Sequence, residues 1–144
     1  EVTRGYAHRL LVELHAGLDD VRGALLGFAL AYRKRVLSAE AIAMFRTLAA
    51  ETPRFRPLAR AVYSGGAGET LRGLAAWLAA EMNARRLRRD DPQFAAELLL
   101  GMLVGQDRVK RLYGFARNNA ADEKRRTTQI VDCFLRAYST ERHR

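Results

Sequence analysis

The stretch DPQFAAELLLGMLVGQDRVKRLYG, from Asp91 to Gly114, decides the fold. An Asp followed by a Pro starts a helix. The carboxylate accepts from the free N–H groups of the first turn, and proline lacks only an N–H that would have gone unpaired there. Gly114 supplies the stop, since glycine readily takes the left-handed conformation that ends helices. Between these signals nothing alternates as a strand does, and Leu98 to Val104 is apolar almost all round. Such a helix must be covered on more than one face. One face packs on the chain's own core, and the other calls for a second molecule or for a cavity with an apolar filling.

Working outward, every other segment is also helical. Ahead of Asp91 lies a helix from Glu69 to about Arg86, with Leu71, Leu74, Ala75, Leu78 and Met82 as its stripe and Trp77 at the stripe's edge. A short segment, RPLARAVYSG (Arg56 to Gly65), holds Leu58, Ala61 and Val62 on one side and is broken by Gly65, Gly66 and Gly68. Ser38 caps AEAIAMFRTLAAE, which Pro53 ends. Before it, Asp19 and Asp20 offer an N-cap for a helix carrying Val21, Leu25, Phe28, Tyr32 and Val36 at three-or-four spacing. The first segment runs from about Thr3 to Ala16 on a stripe of Tyr6, Leu10, Leu11 and Leu14, with Gly17 as its stop. After Asn118 and Asn119, Asp122 and Glu123 open the last helix, which reaches about Tyr138. No internal repeat is present.

That last helix carries Ile130, Cys133, Phe134, Ala137 and Tyr138 as an apolar stripe, and it is the natural neighbour of the helix begun at Pro92. Two adjacent helices with surplus apolar surface point to a twofold dimer built as a four-helix bundle. Leu98, Gly101, Gly105 and Val109 are the expected contributions of the first of the pair. Glycine weakens a helix, so Gly101 and Gly105 are expected to have a packing reason, a close approach of helices.

With 144 residues, the chain is long enough to bury a core without disulfides or metals. One cysteine, Cys133, excludes an intramolecular disulfide and a cysteine-rich zinc site; its neighbours suit a buried thiol. No secretory signal pattern stands at the start, and the longest apolar run is far short of the roughly 18 residues of a membrane span. A cytoplasmic location follows as the expectation. The 25 Lys and Arg against 16 Asp and Glu give a net charge of +9. The basic residues fall in short clusters at helix ends, such as Arg33 to Arg35, Arg85 to Arg89 and Lys124 to Arg126. Solvated helix termini explain them, and a basic nucleic-acid-binding helical domain is the rival reading.

No catalytic constellation emerges. YSGGAG (Tyr63 to Gly68) lacks the Lys-Ser/Thr of a phosphate loop. His8 and His15 are seven apart, two turns along one helix and too distant for a shared metal ion, while His143 stands alone. His15 fits the border of a pocket or a plain surface position. Glu97 is the one acid embedded in the apolar helix and suits an exposed edge or an arginine partner. No cofactor is implied. An apolar ligand cavity needs aromatic and aliphatic walls with a few polar tips. From the amino-terminal half Phe28, Tyr32, Met44, Phe45 and Tyr63 have that character. From the rest Leu74, Trp77, Leu78, Met82, Met102 and Gln106 do. Each of them also suits an ordinary core. A helical interaction module without a pocket is therefore a further alternative.

The order of segments resembles a known family. SAEAIAMFRTLAAETPRF (Ser38 to Phe55), PLARAVY (Pro57 to Tyr63), a glycine break, LAAWLAA (Leu74 to Ala80), RRLRRDDPQFAAE (Arg85 to Glu97), LLGMLVG (Leu99 to Gly105) and RLYG (Arg111 to Gly114) follow one another. In that order they look like the carboxyl-terminal domain of TetR/AcrR-family transcriptional regulators of the AefR-like kind. The resemblance implies a six-helix, all-α domain over residues 1–144, a homodimer joined through its last two helices, and a small apolar effector in its body. It further implies a repressor whose DNA affinity falls when effector binds. DNA contact would run through an amino-terminal helix-turn-helix that has no counterpart in residues 1–36.

Overall fold

The computed structural model describes the backbone of residues 2–16, 20–52 and 54–140, with side chains from Ala7 onward except Ala16. Among them are seven helices: α1 (Val2–Ala16), α2 (Val21–Val36), α3 (Ala39–Glu51), α4 (Arg56–Gly65), α5 (Ala67–Asn83), α6 (Pro92–Leu112) and α7 (Ala120–Tyr138). The one strand-like feature among the described residues is an isolated bridge from Leu87 to Ser139. All seven segments read from the sequence form helices, Arg56–Gly65 with Pro57 in its first turn among them. Its glycines make a single break at Gly66, and α5 begins at once with Ala67. Tyr6, Gly17, Asp19, Pro53 and His143 fall outside what is described, in side chain or altogether.

Local chemistry sets the helix starts. The Ser38 side chain accepts from the Ala41 N–H at 3.1 Å. Asp91 accepts from Gln93 and Phe94 at 3.0 and 3.4 Å, and Asn119 accepts from Asp122 at 2.8 Å. Asp20 stands at the N-cap of α2 but makes no capping bond. Gly114, with φ of +84°, ends α6. Asp91→Ala is expected to lower stability by about 1 kcal/mol through the loss of its cap. Chemical denaturation checks this, and an unchanged midpoint would show that the cap contributes nothing.

The core lies between α1, α2, α5, α6 and α7. Leu25, Phe28 and Ala29 of α2 meet Leu74 and Leu78 of α5, Ala95, Leu99 and Leu103 of α6, and Val131 and Phe134 of α7. Leu10 and Leu14 bring α1 onto this cluster. Helices α1 and α5 approach so closely that a Cβ on Gly73 would run into the Leu11 side chain. In contrast, α3 buries only Ile42 and α4 buries no residue. These two helices lie outboard of the core. None of the described helices is long and apolar enough to cross a membrane.

Two features of α6 escape its sequence pattern. At Gly105 the backbone leaves helical dihedrals (φ 13°, ψ −115°) and the helix kinks. At this kink the Leu103 carbonyl accepts a bond from Arg33 Nη1. The Arg33 side chain is fully buried. It also reaches Glu123 through Nε at 2.7 Å and Nη2 at 2.9 Å, and Asp107 through Nη2 at 2.9 Å. Arg126 closes the group by donating to Asp107 at 2.6 Å. One arginine thus ties α2, the kinked α6 and α7 together. The expectation that the Arg33 to Arg35 cluster is a solvated helix end therefore fails for Arg33.

Candidate functional site, a groove between the outboard helices

Residues Phe45, Leu48, Ala49 and Thr52 repeat at i, i+3, i+4 and i+7 and form one stripe of α3. Ala59, Val62 and Tyr63 stand at i, i+3 and i+4 on α4. The two stripes line a groove of 420 Å³, completed by Ala67 of α5 and Arg108 of α6. Phe45 stays 41% exposed and Tyr63 56% exposed, so the apolar stripes are incompletely covered. An amphipathic helix normally buries its apolar face. A concave, largely apolar surface that none of the described residues fills has the character of a ligand site.

Arg108 gives the groove its one charge. Its guanidinium carbon lies 4.7 Å from the Phe45 ring centroid, over the face of the ring. Its Nε is buried with no hydrogen-bond partner, and no carboxylate among the described residues pairs with it. Tyr32 of α2 is buried close by. Desolvation raises its hydroxyl pKa, against the opposing field of Arg108 and with a smaller push from Tyr63. Tyr63 packs closely on Gly68, where a Cβ would come to 3.0 Å from the Tyr63 carbonyl oxygen and 3.1 Å from its ring.

Of the residues expected to line a ligand cavity, the structure brings Phe45 and Tyr63 together in this groove. Phe28, Leu74, Leu78, Met82 and Tyr32 are core, and Trp77 and Met102 pack partly against it. Met44 is half exposed and Gln106 is exposed. Leu48, Thr52, Ala59, Val62 and Arg108 were not anticipated, although the opposed stripes either side of Pro53 and Pro57 carried the signal. On α4 the groove-lining residues are Ala59, Val62 and Tyr63, and Leu58 is not among them. His8, His15 and Glu97 are exposed, and Glu97 accepts a bond from Gln93.

A second surface concerns α6 and α7. Phe94, Leu98, Gly101, Gly105 and Val109 form an exposed stripe along α6, and Cys133 and Ala137 of α7 are exposed as well. A Cβ at Gly101 or Gly105 would meet nothing within 4 Å, so no packing within the chain requires these glycines. Phe134 and Tyr138 do not belong to this surface. They are 1% and 3% exposed and face the core with Val131. Ile130 also packs partly against it. Cys133 is exposed because the buried stripe of α7 runs through Thr127, Val131, Phe134 and Tyr138, which leaves it on the opposite side.

Among the described residues the fold is all-helical, with an apolar groove at its edge. The family of AefR-like transcriptional repressor C-terminal domains matches residues 23–140, and the chain belongs to that family. A TetR-family transcriptional regulator of Mesorhizobium loti MAFF303099 is similar in structure at a TM-score of 0.84 and 22% identity, over 92% of this chain and 67% of that one. The flavonoid-responsive regulator FrrA is similar at a TM-score of 0.76 and 28% identity, over 92% of this chain and 72% of that one. No curated protein matches the chain.

Proposed function

We propose that this domain is the effector-sensing and dimerising half of a bacterial, cytoplasmic TetR-family repressor, and that its effector occupies the groove between α3 and α4. The observation that carries this is the pair of facing apolar stripes on two helices that bury almost nothing else. The flavonoid response of FrrA supports a planar aromatic effector. DNA contact belongs to a helix-turn-helix of the full-length regulator, outside residues 1–144.

The coupling is a shift between two arrangements. An effector that binds one spacing of α3 and α4 more tightly favours that spacing, and only by the difference in affinity. Helix α4 touches α1 as well as α5, so a displaced α4 alters the seat of α1 and the spacing of the DNA-reading heads. Helix α3 is tethered to the end of α6 by Arg46, which donates to the Leu112 carbonyl at 2.6 Å, and α4 to α5 by Arg72, which donates to the Ser64 carbonyl at 3.0 Å. The check is operator binding by the full-length regulator across a set of aromatic compounds. A compound that releases DNA from the parent protein and not from an Ala59→Trp variant, whose groove is filled, is the expected result. Release that persists in the filled variant would place the effector elsewhere.

The exposed stripe of α6, with Cys133 and Ala137 of α7, is the proposed twofold contact. Each substitution there occurs twice across an isologous interface. Gly101→Arg is therefore expected to weaken self-association by about tenfold or more, read by sedimentation. A parent chain that sediments as a monomer at high concentration would remove this contact from the proposal.

A further inference from the structure

The charge of the groove selects a class of effector. We infer that the α3–α4 groove takes an aromatic anion, its rings lying between the two apolar stripes and its carboxylate, sulfonate or phenolate meeting the Arg108 guanidinium. This rests on the reading of the groove as the effector site and narrows it to a chemistry. The walls are apolar on both sides, and Arg108 is the one charged side chain among the nine residues that line the space.

Arginine at an apolar wall is ordinarily paired, since a guanidinium carries several donors in a fixed fork and a buried charge without a partner is unfavourable. Several other arginines among the described residues have a carboxylate, Arg35 with Glu40 among them although its Nε is likewise buried and makes no hydrogen bond. Arg33 has two carboxylates, Arg126 has Asp107, and Arg22 has Asp132. Arg108 has the face of Phe45 beneath it and an unpaired, buried Nε. The group it lacks is an anion, and the space beside it is bounded by Phe45, Val62 and Tyr63. A cationic ligand would be repelled there. A neutral aromatic would leave the guanidinium unpaired and desolvate it further. An aromatic acid satisfies both halves of the site, because charge-assisted bonds to arginine are the stronger kind and the forked donor suits a planar oxyanion. A volume of 420 Å³ lies in the range of roughly 300–1,000 Å³ that holds compounds of two or three rings.

Two dyes with the same rings separate the class from the site. One is 8-anilinonaphthalene-1-sulfonate, and the other is N-phenyl-1-naphthylamine, which lacks the sulfonate. Binding to the 144-residue chain is followed by fluorescence. The parent chain is expected to bind the anionic dye about tenfold or more tighter than the neutral one. Arg108→Met keeps the packing over Phe45 and should bring the two affinities within about twofold by weakening only the anion. Arg108→Lys should restore part of the difference. Ala59→Trp should weaken both dyes, with far-UV circular dichroism confirming that each variant is folded. If the anion's preference survives Arg108→Met while Ala59→Trp still weakens both dyes, the groove stands and the anionic class is overturned. If Ala59→Trp changes neither dye, or if neither dye binds the parent chain, the groove reading fails and the class falls with it.

Discussion

Arg33→Met is expected to lower the unfolding free energy by about 3–5 kcal/mol, measured as the shift in urea midpoint at pH 7. Removing one member of a buried ion pair leaves the others desolvated and uncompensated, and this is where losses of that size arise. Arg33 is the member whose removal does most. Its side chain has no exposure, and it serves two carboxylates and the Leu103 carbonyl at the α6 kink. Asp107 retains Arg126, which places the loss toward the lower end of the range. Glu123 turns toward solvent at modest cost, being only partly buried. Lysine is no substitute, since a single ammonium cannot reproduce the bonds of a planar fork. Arg33→Lys should therefore recover less than half of the loss. An unchanged midpoint in Arg33→Met would show that the cluster contributes no net stability.

The same cluster sets an acid limit. Hydrogen bonding from Arg33, opposed by burial, holds the Glu123 carboxyl below its ordinary 4.5. Burial pushes Asp107 upward, but the bonds from Arg126 and Arg33 prevail and hold it below its ordinary 3.8. Both groups bind protons more weakly folded than unfolded. Their contribution is thus complete above about pH 5 and is lost as pH falls through the range below 4.5 and then 3.8. Arg33→Met should flatten the decline of stability between about pH 5 and pH 3. A decline as steep as the parent's would assign the acid sensitivity to other carboxylates.

Much of this architecture could be read from the residues. Asp91-Pro92 and Gly114 bound α6 as expected, because caps act through groups adjacent in sequence. The kink at Gly105 could not be read, since Leu98 to Val109 continues one helical pattern and the Arg33 bond beside the bend comes from α2, far off in sequence. Arg33 was hidden differently. A basic run at a helix end looks solvated, yet Arg33 stands four residues after buried Ala29, and that spacing turns it inward. The ligand list failed in part because residue type says what could line a cavity, not which apolar faces other helices already cover. Phe28 and Phe45 have the same side chain. One lies on a helix wrapped by α1, α6 and α7, the other on α3 at the edge of the fold. For the α6–α7 surface the reason is rotational. Cys133 and Phe134 are neighbours in sequence but about 100° apart around the axis, so a list of apolar residues mixes the two faces.

The contrast between those two phenylalanines gives the second large effect. Phe28→Ala is expected to lower stability by about 3–5 kcal/mol, the range for deleting a large aromatic from a packed interior. Phe28 has no exposure and stacks on Tyr32 with ring centroids 5.7 Å apart and planes 14° from parallel. It belongs to one buried cluster with Leu25, Leu74, Leu99 and Phe134, drawn from α2, α5, α6 and α7, and a close-packed cluster shared by several helices closes only partly around a void. Phe45→Ala should cost about 1 kcal/mol or less, because so much of that ring already meets water. Dye binding should divide the pair in the opposite sense: Phe45→Ala weakens it, while Phe28→Ala leaves it within about twofold under conditions where the variant is still folded. Were Phe28 instead a wall of an effector cavity, its removal would change stability little and abolish binding. The two readouts together, urea midpoint and dye affinity, thus separate a core aromatic from a groove aromatic.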